Sequence, residues 1–237
     1  MQVGYADWSV EGRYLTNLHW KETIPAVNAP GNVQIGSFSN FGATSLIGGA
    51  ESKFDSWEAN LRWQPLTWLT AFVGYREIKV SDSTQVTIQF PAFSALYTFS
   101  TPWKARGGQI GAEVRLFGPG TSWQPGGFFG DIDARVGYYN VKGDSIFSLL
   151  PSTGGSFNGG ATYSANALGY ELGATFGYRI SPNIELRAGY RYLSIENVLF
   201  ANDYFAQATA NATQNANPSP RNLTMQMATF GTRIMFP

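Results

Sequence analysis

Long runs of alternating apolar and polar residues dominate this chain, and the clearest lies between positions 161 and 197. From 170 to 179, Tyr, Leu, Ala, Phe and Tyr occupy one face, whereas Glu, Gly, Thr, Gly and Arg occupy the other. The same alternation resumes from 185 to 192, after a turn at Ser181-Pro182-Asn183. A period of two residues predicts β-strands, and the turn between them predicts an antiparallel hairpin.

The alternation predicts eight strands, at about 5–16, 54–64, 68–80, 103–117, 128–142, 161–180, 184–197 and 222–236. Most are longer than ten residues, against about 5–6 in soluble proteins. Short turns at Pro65, Pro119 and Pro182 alternate with long loops at about 17–52, 81–102, 143–160 and 199–220. The second loop contains two expected strand extensions, at 86–90 and 95–99. These features predict a single all-β domain that spans residues 1–237. They favour an antiparallel up-and-down transmembrane β-barrel rather than a sandwich of shorter strands.

The charged residues share a strand face with the glycines, opposite the apolar face. This is typical of a membrane barrel, whose apolar residues face lipid and whose polar residues face a narrow lumen. The alternative is a soluble lipocalin-like or lectin-like barrel, whose interior would be apolar. We expect a bacterial outer-membrane location of the Gram-negative type, with short turns and both termini in the periplasm. Aromatic belts are expected at both interfaces, with Trp63, Trp68 and Phe236 on the periplasmic side and Trp103 and Tyr139 on the outer side.

Composition narrows the function classes. Charged residues make up only 14% of the 237 residues and aromatic residues reach 15%, which suits a lipid-facing β-surface. No run approaches 18 apolar residues, so no transmembrane helix is expected. A net charge of zero lacks the excess of basic residues that is typical of a nucleic-acid-binding protein. The absence of cysteine excludes thiolate sites and the single histidine argues against zinc, so we expect no cofactor or metal. No basic and apolar leader opens the chain, so an exported protein would be in its mature form.

A Gly-Tyr-Arg motif recurs at 74–76, 177–179 and 189–191. In the expected register each Tyr points to lipid, while Gly and Arg point inward. The Gly would leave room beside the long Arg in a crowded lumen.

Sixteen charged residues are expected to face the lumen. An eight-stranded interior is about wide enough for side chains alone, and an unpaired buried charge is costly. Paired carboxylates could serve acid–base catalysis, but a salt-bridged plug that closes the barrel to ions is the favoured interpretation. The expected network comprises Glu11, Arg13, Glu58, Arg62, Arg76, Glu113, Arg115, Asp131, Asp133, Arg135, Glu171, Arg179, Glu185, Arg187, Arg191 and Arg233.

A remote enzymatic alternative involves His19, just past the first expected strand, and Asp82-Ser83, just past the third. A base, an orienting acid and a hydroxyl at the outer rim resemble the arrangement of the outer-membrane palmitoyl transferases. Loops are rich in such residues, so we expect no catalytic residues.

Several stretches carry a family resemblance. They are TSLIGG at 44–49, SWEANLRWQPLTWLTAFVGYR from 56, GGQIGAEVRLFG from 107 and IDARVGYYN from 132. They resemble a family of predicted outer-membrane β-barrel proteins, and the architecture is more distantly similar to the OmpA, OmpX and OmpW class of eight-stranded barrels. The resemblance covers most strands, fails in the loops and implies fold and location but no activity. Many barrels of that class end in an aromatic residue, whereas here Pro237 follows Phe236.

The expected function is a structural or interaction scaffold that displays its extracellular loops. A small-solute porin or a hydrophobic-ligand channel is the main alternative, and a lipid-modifying enzyme is the remote one. The expected partners are outer-membrane lipid and lipopolysaccharide, together with an envelope or extracellular protein that would bind the loops, and no nucleic acid.

Overall fold

The structure is a computed structural model that describes residues 7–35, 38–118, 127–181, 184–201 and 220–234. Side chains are described for these residues except positions 7, 16–20, 24–35, 38–43, 157, 233 and 234. Eight strands occupy the described chain: β1 Asp7–Ile35, β2 Phe38–Leu66, β3 Leu69–Gln89, β4 Ser94–Phe117, β5 Gly127–Pro151, β6 Phe157–Ser181, β7 Ile184–Val198 and β8 Arg221–Ile234.

These strands form one sheet in which each pairs with the next along the chain. The order is β1 to β8 without a crossover, and every neighbouring pair is antiparallel. The predicted all-β, up-and-down architecture is therefore confirmed. Within the described residues, no helix is both long and apolar enough to cross a membrane.

Six of the strands, β1 to β6, are longer than the sequence predicted, and three of the predicted loops are wrong as loops. Most of 17–52 belongs to the β1–β2 hairpin, which pairs as far as Ile35 and Phe38. Residues 81–89 pair with 94–102, and 143–149 pair with 157–163. Register shifts near 15–18, 24–27 and 28–33 disturb the period of two in β1, which is why this polar stretch resembled a loop. The extensions expected at 86–90 and 95–99 are real. Most of the fourth loop, 202–219, lies outside the described residues.

The sheet curls around an interior. Side chains of strands three or more places apart in the sheet order touch each other, which a flat sheet would prevent. Arg76 of β3 lies 2.6 Å from Glu171 of β6, and Arg135 of β5 lies 2.5 Å from Glu58 of β2. Between β1 and β8 no ladder is present in the described residues. Val10 and Phe230, on these two edge strands, are 82% and 86% exposed.

Two sections of the curled sheet have opposite polarity. The proximal section, next to the short turns, comprises about 8–15, 56–76, 107–118, 127–138, 168–181, 184–192 and 228–232. Its interior is charged and its outer face is apolar. The distal section comprises about 44–55, 77–106, 139–167, 193–201 and 220–227. Its interior is apolar, and its outer face is mostly polar.

Candidate functional site: the charged interior

The interior of the proximal section holds layers of ion pairs that the strand period positions. Because side chains alternate in a strand, every second residue from Asp131 to Arg135 in β5, and from Glu185 to Arg191 in β7, points inward. Most of these side chains are buried. The same period turns the intervening apolar residues to the outer face.

The layer nearest the short turns joins β4, β5, β6 and β7. Arg115 donates hydrogen bonds to both carboxylate oxygens of Asp131, at 2.9 and 3.2 Å. The same carboxylate accepts a bond of 2.6 Å from Arg187. Arg179 binds Glu185 at 2.5 Å. The ring of Phe129 lies near the guanidinium groups of Arg115 and Arg187 at 4.6 and 5.4 Å, which adds cation–π contacts.

The second layer is centred on Arg62 of β2. Its guanidinium lies 3.0 Å from Glu11 of β1 and 3.0 Å from Glu113 of β4. The centroid of the Phe72 ring lies 5.7 Å from the guanidinium carbon of Arg62 and 4.8 Å from that of Arg135. One aromatic ring therefore makes cation–π contacts with two like charges.

The third layer is centred on Glu171 of β6, which contacts four arginines. Arg76 lies 2.6 Å from its carboxylate, Arg13 and Arg135 lie at 3.7 Å, and Arg191 makes a short ion pair. These arginines come from β1, β3, β5 and β7, so one carboxylate holds strands on both sides of the interior.

Two further acids complete this layer. Glu58 lies 2.5 Å from Arg135 and 3.2 Å from Arg13, and Asp133 lies 3.1 Å from Arg191. Each arginine of the layer thereby contacts at least two carboxylates. Such a shared network differs from separate surface pairs because its charges are held by several strands at once.

The structure brings the predicted charge network together. Every predicted member with a described side chain takes part in at least one ion pair within 4.0 Å. Arg233 is the exception. Its backbone pairs with Glu185, but its side chain lies outside the described part of the chain.

Uncharged polar residues extend the network, and the sequence analysis did not single them out. Gln109 donates bonds to Glu58 at 3.0 Å and to Asn60 at 2.8 Å. Ser56 accepts a bond of 3.0 Å from Arg76. All three are buried. The sequence could have identified them by their spacing. Ser56 and Asn60 lie two residues from Glu58, and Gln109 lies four residues from Glu113, so all three belong to the inward face of their strands.

The glycines of the Gly-Tyr-Arg motifs leave room for other groups than the expected arginines. A Cβ at Gly177 would lie 2.5 Å from the Leu186 carbonyl and would clash with the Phe129 ring. A Cβ at Gly74 would clash with Asn60, and one at Gly137, in the related Gly-Tyr-Tyr stretch, with the Tyr139 ring. The groups nearest to Gly74 and Gly177 are therefore amide, carbonyl and aromatic groups rather than the arginine two residues farther along the chain, and the interior is as crowded as expected.

The distal section closes the interior with apolar side chains. Phe54, Ile78, Trp103, Tyr139 and Ile195 belong to one buried cluster, and a second lies farther from the short turns. The prediction that Trp103 and Tyr139 belong to an outer aromatic belt is therefore wrong. They share the inward face with Gln109 and Arg135, and each is 2% exposed.

The chain that follows β7 folds into this apolar core. Val198, Leu199 and Ala201 are fully or almost fully buried. The backbone N–H of Ala201 donates a 2.8 Å hydrogen bond to Asp82, which also accepts a short bond from Ser52. The end of the apolar core is therefore held by a polar contact across 119 residues of sequence.

Asp82 and Ser83 of the enzymatic alternative face opposite sides of the sheet. Asp82 and Ser83 lie within β3 rather than past it. Asp82 points inward and is engaged by Ser52 and Ala201, whereas Ser83 has the opposite orientation in the strand. His19 lies within β1, where its backbone pairs with Lys53, but its side chain is not among those described.

The outer face changes character where the two sections meet. Trp57, Tyr75, Tyr138 and Tyr170 are exposed there, and the Trp57 and Tyr75 rings lie 5.4 Å apart. Trp63 and Trp68, expected at the other interface, are also exposed, whereas Phe236 lies outside the described residues. These rings border the apolar outer face at both ends.

A charged group lies on the outer face directly beyond Trp57 and Tyr75, on the distal side of these rings. Glu77 accepts bonds from Arg106 at 2.6 Å and Lys79 at 3.1 Å. Burial opposes ionisation of Glu77, but the two basic partners outweigh it and hold the pKa of this carboxyl below its usual value. Charged side chains on the outer face of β3 thus begin at Glu77, the next outward residue after Tyr75.

The three layers pair opposite charges. Each of their carboxylates with a described side chain contacts at least one arginine, and arginine does not release its proton near neutral pH. Across the described side chains, no cluster of His, Asp or Glu is placed to hold a metal ion. Comparisons of the chain with models of protein families, with curated proteins and with solved structures found no match.

Proposed function

We propose that the chain is an outer-membrane β-barrel whose proximal section spans the bilayer and whose distal section stands outside it as a scaffold for interaction. The supporting observation is the reversal of polarity between the two sections. An apolar outer face around a charged interior suits lipid, whereas a polar outer face around an apolar core suits water.

The height of the apolar outer face supports this placement. On β5 the outward residues from Phe128 to Tyr138 are apolar or small, and Asn140 and Lys142 follow. Ten residue steps give about 33 Å of strand, or roughly 23 Å along the bilayer normal at a tilt of about 45°. Membrane barrels have an apolar band about 25 Å tall, so one such band fits.

Lipid contact also implies that the edge strands pair with each other. An unpaired backbone group in hydrocarbon costs several kcal/mol, roughly. We therefore expect β1 and β8 to form a ladder in the membrane, which would remove both edges.

The filled interior favours a scaffold over a porin or a ligand channel. A solute would have to pass the three charged layers and then the apolar clusters of the distal section. The rigid distal surface is then the part available to an envelope or extracellular protein. The family resemblance of the hairpin at 56–76 agrees with this proposal.

Three measurements test it. The purified protein should need detergent for solubility, and its folded form should migrate differently on gels before and after heating. In planar bilayers it should conduct poorly. A monomer that is soluble without detergent would contradict the membrane location. A steady, large conductance would contradict the scaffold hypothesis and favour a porin.

A further inference from the structure

The outer face of the distal section carries a row of lysines on three adjacent strands. Lys79 of β3 is directly opposite Lys104 of β4, and Lys104 is directly opposite Lys142 of β5. Residues opposite each other in a ladder have Cβ atoms about 4.5–5.5 Å apart, so like charges there destabilise the sheet. On the other side of the row Asp55 of β2 is directly opposite Lys79, whereas Lys104 has a lysine opposite it on both neighbouring strands.

The acids near this row leave it positively charged. Glu77 is shared between Lys79 and Arg106. Among the described residues, no acid is recorded within ion-pair distance of Lys104 or Lys142, and both are exposed. Two further acids of the outer face lie beside the row, because Asp55 is directly opposite Lys79 and Asp144 follows Lys142 by two residues. With Glu77 they leave the four basic side chains a net charge of +1. We call Glu77, Lys79, Lys104, Arg106 and Lys142 the lysine row.

The lysine row lies at the height of lipid headgroups if the proximal section spans the bilayer. Lys79 follows Tyr75 by four residues, and Lys142 follows Tyr138 by four. Four steps give about 13 Å of strand, or roughly 9 Å along the normal at a tilt of about 45°. A headgroup layer is about 5–7 Å thick, and lysine can reach it by extending its stem toward the interface.

We propose that the lysine row binds the phosphate monoester groups of lipids in the adjacent leaflet. The inference rests on the proposed membrane location. Phosphate suits the row better than a carboxylate because it carries up to two charges and three acceptor oxygens. One phosphate can therefore accept bonds from neighbouring lysines on two strands, and Arg106 can add a forked contact.

The test compares lipids by native mass spectrometry of the folded protein in detergent. The probes are phosphatidic acid, an anionic sulfolipid without phosphate and zwitterionic phosphatidylcholine, with inorganic phosphate as competitor. The wild type should retain phosphatidic acid at least fivefold better than either other lipid. The double variant Lys104→Gln/Lys142→Gln should lose most of that preference, and millimolar inorganic phosphate should not displace the lipid.

Lys53→Gln is the matched control, because Lys53 is exposed but paired with Glu51 at 2.9 Å and lies outside the lysine row. It should bind like the wild type. Without anionic lipid, the double variant should be at least as stable as the wild type, since like-charge repulsion is relieved. Equal retention of phosphatidic acid by the double variant, or equal retention of the sulfolipid by the wild type, would overturn the proposal. Displacement by inorganic phosphate would reduce the site to a free-phosphate site and overturn the lipid assignment.

Failure of this inference differs from failure of the proposed function. A protein that folds into phosphatidylcholine vesicles but shows no preference for phosphatidic acid would remain a membrane barrel without the lysine-row site. A protein that enters no vesicle would contradict the membrane location itself.

Discussion

Replacing Glu171 by Gln tests whether the charged interior is a dry, coupled network. The side chain keeps its size but loses its charge, so the change isolates electrostatics from packing. Four arginines then face only Glu58 and Asp133 in their layer, and its net charge rises from +1 (four arginines, three acids) to +2.

The expected cost follows from the contacts that remain. Removing one partner of a buried pair costs about 3–5 kcal/mol when the remaining charge stays dry. Each of the four arginines keeps at least one carboxylate, Arg76 only at 3.9 Å. We therefore expect a loss in the lower part of that range, about 3 kcal/mol, in the free energy of unfolding. Water entering the layer would reduce it.

Glu77→Gln is the control: Glu77 is itself buried, but its two basic partners on the outer face are half exposed. The charges that the substitution leaves behind therefore remain in contact with water, and the cost should be less than about 1 kcal/mol. A double-mutant cycle with Arg76→Gln should give a coupling energy of about 1–3 kcal/mol. The measurement is equilibrium urea unfolding in lipid vesicles, followed by tryptophan fluorescence. A Glu171→Gln cost within about 0.5 kcal/mol of the Glu77→Gln cost, a difference typical of uncoupled surface changes, would refute a dry network.

Four further outcomes are expected. Gly107→Ala should destabilise the barrel by about 1–3 kcal/mol through overpacking, because the new Cβ would clash with the Tyr138 carbonyl. Gly108→Ala is the control and should be neutral, since the nearest contact of its Cβ would lie at 3.9 Å. The difference between the unfolding free energies of the two variants tests this. Single-tryptophan variants retaining Trp57 or Trp63 should be quenched by lipids brominated in opposite leaflets, and quenching from one leaflet would contradict the topology. His19→Ala should leave lipid composition of the envelope unchanged, and loss of a lipid modification would favour the enzyme. Backbone amides of β1 and β8 should exchange slowly in lipid, and fast exchange along both would mean that no ladder closes the sheet.

The proximal section was predictable because its alternation is regular and its charged residues all lie on one face of the strands. Charged residues such as Arg62, Glu113 and Glu171 occupy the same face as glycine, and a period of two determines which residues join them. The number of strands and their antiparallel order followed from the same pattern. The particular ion pairs did not, because they join strands distant in sequence and depend on how the sheet curls.

The distal section was predicted poorly because the period persists while the polarity of the two faces is exchanged. In β3, Ile78 and Val80 continue the inward face of Arg76, whereas Lys79 continues the outward face of Tyr75. An interpretation that equates apolar with outward must then fail, as it did for Trp103 and Tyr139. Following the period through the change in polarity would have identified both the extended strands and the apolar core.

The reversal of polarity also bears on how a barrel could present a surface for binding. Loops that project from a membrane barrel lose conformational freedom when they bind a partner, and that loss weakens association. Here the projecting segments are paired strands around a core that includes Phe99 and Phe147, whose rings lie 5.0 Å apart, and Leu199 and Ala201 are buried within the same section. A partner that bound the distal section would meet backbone already ordered by hydrogen bonds. On the proposed function, the core would lower the entropic cost of recognition, while the charged layers would fill the interior of the proximal section.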